Sequence, residues 1–432
     1  MSERNRELAG LVAVGALTLV GFASVYIARQ SVISTASITY AAIFLALYFA
    51  AHLVTRLAVP HADPYLLPMA GLLTAVGVTE IYRLDPKDAF RQGMWVIIGV
   101  LLFSLTLLFV DYRRLESYKY LFGLAAIGLL VLPALPVFGT SVNGARLWIH
   151  LGPLQFQPGE LAKIMLIVFL AGYLREKREV LAQGRLKDFG PLLVIWGFAM
   201  LVLVETNDLG SALLFFGIFL AMLYVATGRL LFVGIGAGLF VAGSALVYHY
   251  VAHVHERVVI WLHPWTSHPV FCAQNGKLML RQDCASYQLV KSIYSVGAGQ
   301  WWGTGLGRGT FTTTAGTPLI PYLNTDFIYS ALAQELGLIG AAALILVYLL
   351  FSARGLRISV TADDGFSKLL ALGLTFGFAL QTFIIVGGIL RIIPLTGITL
   401  PFVSYGGSSV VANFILLAGL LMVSNHVNAP KR

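Results

Sequence analysis

The stretch NTDFIYSALAQELGLIGAAALILVYLLF, residues 324–351, passes from a polar loop into a long apolar run. At about 1.5 Å per residue, the run from Phe327 to Phe351 is long enough to span the roughly 30 Å hydrocarbon layer of a bilayer. Asp326 sits at its mouth, with Gln334 and Glu335 two to three turns deeper. An acid at a helix N-terminus ordinarily caps the helix and complements its dipole. Ionisable residues at membrane depth are costly, however, and each marks a functional site by default. The rest of the chain decides which account fits Asp326.

That rest is equally apolar. Of 432 residues 58% are hydrophobic and 11% charged, with a mean hydropathy of +0.82; soluble domains carry about 25% charged residues. The apolar runs are continuous and roughly twenty long, whereas a membrane β-barrel alternates over segments of about ten. Twelve helical spans are expected, at 8–28, 37–58, 64–82, 92–110, 119–136, 159–174, 189–205, 210–227, 231–251, 327–351, 367–389 and 408–425. The fold class is all-α, a polytopic membrane bundle. The first span follows Arg4 and Arg6 but is too long for a cleaved signal peptide, so it reads as a retained anchor.

Lys and Arg set the orientation. An even number of spans puts both termini on one side, and placing that side in the cytoplasm leaves 17 basic residues inside and 11 outside, with Lys163 within a span. The formal charge of +9 then reflects topology and anionic headgroups, not nucleic acid. The 252–325 loop falls on the outer face and holds the only two cysteines, Cys272 and Cys284. There a disulfide can close a small subloop; two independent thiols are the alternative. Four clustered zinc ligands are missing. The run GTGLGRG, residues 303–309, lacks the strand and helix of a nucleotide loop and is expected to be a flexible turn, the alternative being a backbone N–H cradle for a phosphate.

Polar groups at membrane depth gather on that outer side. Arg146 precedes Glu160 and Lys163, which lie three apart and can pair on one helix face behind Pro158. Glu205, Asn207 and Asp208 join the seventh and eighth spans, and the last outer loop adds Arg391, Thr396, Ser404, Tyr405, Ser408 and Ser409. Singly, each fits an interhelical pair or a cap. Together they imply a polar cavity at the outer membrane face, suited to a ligand with an anionic head and a lipid tail. Neither pseudo-symmetric halves nor a midplane acid chain, the marks of many transporters, is evident.

Five segments occur here in the order found in the SEDS (shape, elongation, division and sporulation) family of RodA, FtsW and SpoVE proteins. They are NGARLWI…LQFQPGELAKI (143–164), NDLGSAL (207–213), YQLVKSIYSVGAGQWWGTGLGRGT (287–310), NTDFIYSALAQELGLIG (324–340) and PLTGITLPFVSYGGSS (394–409). The chain resembles that family over roughly 64–425, which would leave 1–63 as a two-helix extension of the RodA-like kind and 426–432 as a cytoplasmic tail. The resemblance implies a ten-helix core and a peptidoglycan glycosyltransferase that polymerises lipid II at the outer face of the cytoplasmic membrane, serving cell shape or division. It also implies a class B penicillin-binding protein as transpeptidase partner, among other cell-wall synthesis membrane proteins. By the same resemblance Asp326 matches the family's essential aspartate, and Arg146, Glu160 and Lys163 match its conserved Arg, Glu and Lys. Two departures stand out: IPYLNTDF lacks the acid many members carry after the proline, and the usual Glu-Glu is Gln334-Glu335.

Such a reaction needs little apparatus. The 4-hydroxyl of an incoming lipid II attacks C1 of a polyprenyl-pyrophosphate-linked glycan with inversion, and a carboxylate takes the hydroxyl proton. Asp326 is the expected base, with Arg146 and Lys163 supporting the departing pyrophosphate. Glu160 would hold Lys163 or, with lipid phosphates, ligate Mg2+ or Mn2+; no nucleotide donor is needed. Thr325, Gln334, Ser404, Tyr405, Ser408 and Ser409 are expected to contact substrate beside Arg146 and Lys163. The competing function is a lipid II flippase, which would need charges through both leaflets, whereas the inner half of the bundle reads as apolar.

Overall fold

The computed structural model describes residues 2–30, 35–135, 138–142, 145–151, 154–183, 190–272, 276–313 and 317–430. Two helices, α1 (Glu3–Gln30) and α2 (Thr35–Ala58), precede α3 (Leu66–Leu84) and α4 (Pro86–Phe109). A short α5 (Tyr112–Leu115) leads to α6 (Lys119–Val131), a three-stranded antiparallel sheet, α7 (Pro158–Glu176) and a short α8 (Arg178–Ala182). Then follow α9 (Gly190–Glu205), α10 (Leu209–Thr227), α11 (Leu230–Tyr250), α12 (Ala252–Leu262) and a two-stranded hairpin. The chain ends with α13 (Tyr287–Ala298), α14 (Ile328–Thr361), α15 (Gly365–Ile389) and α16 (Gly407–Asn428).

Every one of the twelve expected spans is a helix. Among the described residues nine helices are long and apolar enough to cross a membrane; α3 and α7, 19 residues each, and α9, 16 residues, complete the set. The chain is a multi-pass helical membrane protein. The purely helical expectation needs one amendment, because among the described residues five short strands decorate one end of the bundle. They are β1 (Gly139–Val142), β2 (Ala145–Leu151) and β3 (Leu154–Phe156) in one sheet, and β4 (Val270–Cys272) with β5 (Lys277–Met279) in the other. Cys272 and Cys284 are joined by a disulfide beside that second hairpin, with Cα atoms 6.0 Å apart.

Local chemistry sets the helix ends. Asp85 caps α4 by accepting from the Lys87 and Asp88 amides, with Pro86 in the first turn. Asp208 caps α10 through Ser211, Asp364 caps α15 through Ser367, and Gly228 closes α10 in the left-handed region at φ 69°. At the centre, α16 packs on α4 and α15 packs on α7, α10 and α14. Both central helices are buried along most of their length, whereas α11 buries only Gly236.

The decisive irregularity is in α14. Gly337 has φ 69° and ψ −176°, which breaks the helix and removes the ordinary i to i−4 bonds across it. The loop after α13 replaces them. Thr304 and Gly305 amides donate to the Gln334 and Glu335 carbonyls, both at 3.0 Å; Leu338 and Ile339 amides donate to Gln300 and Trp301 at 2.8 and 3.2 Å. This fit leaves no room for side chains. A Cβ on Gly303 would lie 2.1 Å from the Glu335 carbonyl oxygen, and one on Gly337 would lie 2.2 Å from the Gly303 nitrogen.

Gly303→Ala should therefore destabilise the protein strongly, because a side chain at φ 79° costs about 1–3 kcal/mol before the clash is counted. Gly128→Ala in α6, where a Cβ meets nothing within 4 Å, should be neutral or stabilising by up to about 1 kcal/mol. Thermal unfolding of the two variants in detergent separates these outcomes.

Candidate functional site

Asp326 does not cap α14. It stands one residue before the N-cap position, Phe327, and its side-chain hydrogen bond is with Thr325. Two segments surround it. The α15–α16 loop brings Gly397 so close that an added Cβ would be 3.4 Å from Asp326 Oδ2. Ser404 Oγ donates to the Thr325 carbonyl at 2.6 Å, and the Tyr405 amide donates to the Asn324 carbonyl at 2.9 Å. From α12, Arg257 donates to the carbonyls of Leu395 and Thr396 at 3.2 and 3.0 Å.

Burial pushes the Asp326 carboxyl up to about 6, while the Arg257 charge and the Thr325 bond pull the other way. Burial also raises Asp208, against its Ser211 bonds and the charge of Arg257. The Arg257 guanidinium is itself held below its ordinary value by burial, with Asp326 and Asp208 opposing. Arg257 therefore stands electrostatically between two acids from different helices. The sequence reading missed it, because it lies in a loop whose basic residues carry little topological weight, and only its amphipathic helix could have drawn notice.

Glu160 and Lys163 pair as their spacing predicts. Lys163 is 3% exposed and donates to Glu160 Oε2 at 2.7 Å and to Gln381 Oε1 at 2.6 Å. Gln381 in turn donates to the Thr399 carbonyl at 2.9 Å. Thr399 Oγ1 donates to Ser409 Oγ at 2.8 Å, and Asn413 holds the Ser409 carbonyl at 2.7 Å. The same α15–α16 loop thus touches Asp326 through Gly397 and the Glu160–Lys163 pair through Thr399. Asp208 lies within electrostatic reach of both Glu160 and Arg257.

Other expected contacts fall differently. Arg146 is exposed on β2, opposite Ser141, and among the described residues no hydrogen bond or ion pair joins it to Lys163 or Asp326. Gln334 is buried, and its Oε1 accepts from Ser295 of α13 at 2.7 Å. Ser408 accepts from the Gln157 amide at 2.6 Å, and Ser404 accepts from the Leu400 amide at 2.9 Å. These side chains build the walls of the site. Thr325 and Tyr405 remain partly exposed, and Tyr405 faces Asp88 and Arg91 of α4.

Beyond the break in α14, two acids are buried in the bundle, where no midplane acid chain was expected. Glu335 accepts from the Gly307 and Gly309 amides at 2.7 and 3.0 Å and pairs with Arg83 at 3.3 Å. Glu80, wholly buried on α3, neighbours that pair, and among the described residues neither of its carboxyl oxygens has a hydrogen-bond partner. The glycine run 303–309, expected to be a flexible turn, is an ordered anion cradle whose anion is Glu335. Mg2+ or Mn2+ does not fit as a protein-held ion: Glu160 is committed to Lys163, Asp208 caps α10, and the described residues contain no group of three metal-binding side chains.

The family model for FtsW, RodA and SpoVE, described as cell cycle protein, matches residues 66–429. The chain is 38% identical to the peptidoglycan glycosyltransferase RodA of Mycobacterium tuberculosis (strain ATCC 25618 / H37Rv), over 100% of this chain and 92% of that protein. It is 33% identical to stage V sporulation protein E of Bacillus subtilis (strain 168), over 84% and 94% of the two chains. Among solved structures it is similar to a chain of a peptidoglycan synthase complex that coordinates polymerization and crosslinking, with a TM-score of 0.69, 27% identity, and 85% and 98% of the chains covered. The rod shape determining protein RodA of Thermus thermophilus matches with a TM-score of 0.60 and 26% identity, over 86% and 98%.

Removing the Arg257 charge should raise the Asp326 titration above its value of about 6, since that charge favours the carboxylate. Infrared titration of Arg257→Gln, with the Asp326 band assigned by its loss in Asp326→Asn, reads this directly. An unchanged midpoint would uncouple the two residues.

Proposed function

Because the chain belongs to the family of FtsW, RodA and SpoVE cell cycle proteins, we infer that it is a peptidoglycan glycosyltransferase, and we propose that Asp326 is its general base. The observation that carries the proposal is the placement of Asp326: it does not cap α14, it lies in a partly open site, and burial pushes its carboxyl up to about 6. A base of that strength is mostly ionised at neutral pH yet basic enough to take a proton in the transition state.

In the reaction, the acceptor 4-hydroxyl of lipid II approaches Asp326. Its oxygen bonds to C1 of the polyprenyl-linked glycan, its proton passes to an Asp326 oxygen, and the C1–oxygen bond to pyrophosphate breaks with inversion. Arg257 holds Asp326 in its ionised form until the hydroxyl arrives, and it pins the α15–α16 loop through two carbonyls. Lys163 has three ammonium hydrogens, two of them spent on Glu160 and Gln381. The third is the natural donor to a phosphate oxygen of the leaving group. Arg146, exposed on β2, meets the anionic head as it enters. No step is assigned to a metal ion.

The remaining proposals are topological and social. The site opens on the outer face of the cytoplasmic membrane, with both termini in the cytoplasm, as the distribution of basic residues favours. The similar synthase complex supports a crosslinking partner, for which a class B penicillin-binding protein is the fitting transpeptidase.

Asp326→Asn should fold, bind its partner and lose about 10²–10⁴ in rate when lipid II polymerisation is followed on gels of the glycan product. The wild-type rate should rise with pH through about 6 and then level off, because only the carboxylate accepts the proton. A variant that polymerises at near-normal rate would end the assignment.

A further inference from the structure

At the opposite end of the bundle charge ties the N-terminal extension together, and one ion pair joins it to the core. Arg4 binds Glu7 and the Ala62 carbonyl, and Glu7 also pairs with His52 of α2 at 2.7 Å. The connector then turns through Asp63, which accepts from the Tyr65 amide at 2.9 Å and pairs with Arg354 of α14 at 3.3 Å. The Arg354 guanidinium lies over the Tyr65 ring, 4.4 Å from its centroid.

This arrangement encloses a cavity of about 210 Å³ lined by Glu3, Arg6, Tyr65, Arg354, Arg357 and Thr361, among others. Its charged lining is three arginines against Glu3 and Asp63, and Asp63 is already spent on Arg354. Arg6 and Arg357 are exposed and, among the described residues, make no ion pair. They are the two cations left to act on something else.

We propose that this cavity binds the phosphate headgroup of an anionic membrane lipid, seating it between the extension and the core. Guanidinium groups match phosphate oxygens two at a time, and basic residues at the ends of membrane helices draw anionic lipids. Free phosphate would satisfy the same arginines. The surface beside them favours a source with a tail: Val360, one turn beyond Arg357 on the same helix face, is 74% exposed, and Leu356 is 41% exposed. An acyl chain can lie along that strip while its phosphate reaches Arg357 and Arg6. The inference is independent of the role given to Asp326.

The test is native mass spectrometry of the full-length protein in detergent, titrated separately with phosphatidylglycerol, phosphatidylcholine and glycerol 3-phosphate. Phosphatidylglycerol should bind, and the Arg6→Gln/Arg357→Gln double variant should bind it about thirtyfold more weakly. Arg229→Gln, which removes a charge at the start of α11 outside the cavity, should leave binding unchanged. Equal retention of phosphatidylcholine, or full binding by the double variant, would overturn the proposal. Glycerol 3-phosphate binding as tightly as phosphatidylglycerol would instead make the site one for soluble phosphate. Should the double variant fold poorly, the wild type still decides: phosphatidylglycerol binding must weaken as salt rises, and salt-insensitive binding would refute an ionic site.

Discussion

Backbone polar groups in a bilayer have no water to bond, and each one left alone costs several kcal/mol. The break at Gly337 would leave such groups stranded inside a membrane helix. It persists because the 299–305 segment supplies a matched set of amides and carbonyls. That exchange ties the long loop to α14, and the loop in turn carries the glycine cradle around Glu335. The segment that begins α14, with Asp326 at its head, is held in position by the same contacts. Much of the geometry at this end of the protein follows from one left-handed glycine.

Around that anchor, acids and bases from separate helices gather within electrostatic reach of one another. Lys163 and Glu160 come from α7, Asp208 from the cap of α10, Arg257 from α12, and Asp326 from the entrance to α14. No two neighbours in the series from Glu160 to Asp326 share a helix. The α15–α16 loop runs across all of them and is fixed by backbone carbonyls and buried hydroxyls, so few of the polar groups are left free to reorient. Such a site is preorganised, which is where electrostatic stabilisation of a developing charge is most effective.

What was legible in the sequence was whatever periodicity and local spacing encode. Twelve apolar runs gave twelve helices, and the three-residue step from Glu160 to Lys163 gave their ion pair. Asp326 stood out because an acid at the mouth of an apolar run is expensive. Contacts between distant segments were not legible. Nothing in GTGLGRG says that its amides serve a carboxylate on another helix, and Glu80 is hidden in an otherwise ordinary apolar span. Arg257 looked like one of several loop cations. Ser404, Ser408, Ser409 and Gln334 were read as substrate contacts, but sequence cannot tell a hydroxyl that faces a ligand from one that supports a neighbouring loop.

The glycine-rich segment also acts as a ruler. Between Gln300 and Gly309 six of its backbone groups are matched to α14 and to the Glu335 carboxylate, so one inserted or deleted residue would shift the later amides out of line with their acceptors. Among the described residues the disulfide-closed hairpin upstream has no such partner in the bundle, and its exposed Phe271 and Leu278 face each other across β4 and β5. A change in length within the large loop would therefore be borne better on the hairpin side. Two parts of one loop, a few dozen residues apart, are under opposite rules: one is free to change length, and the other is fixed by the helix it repairs.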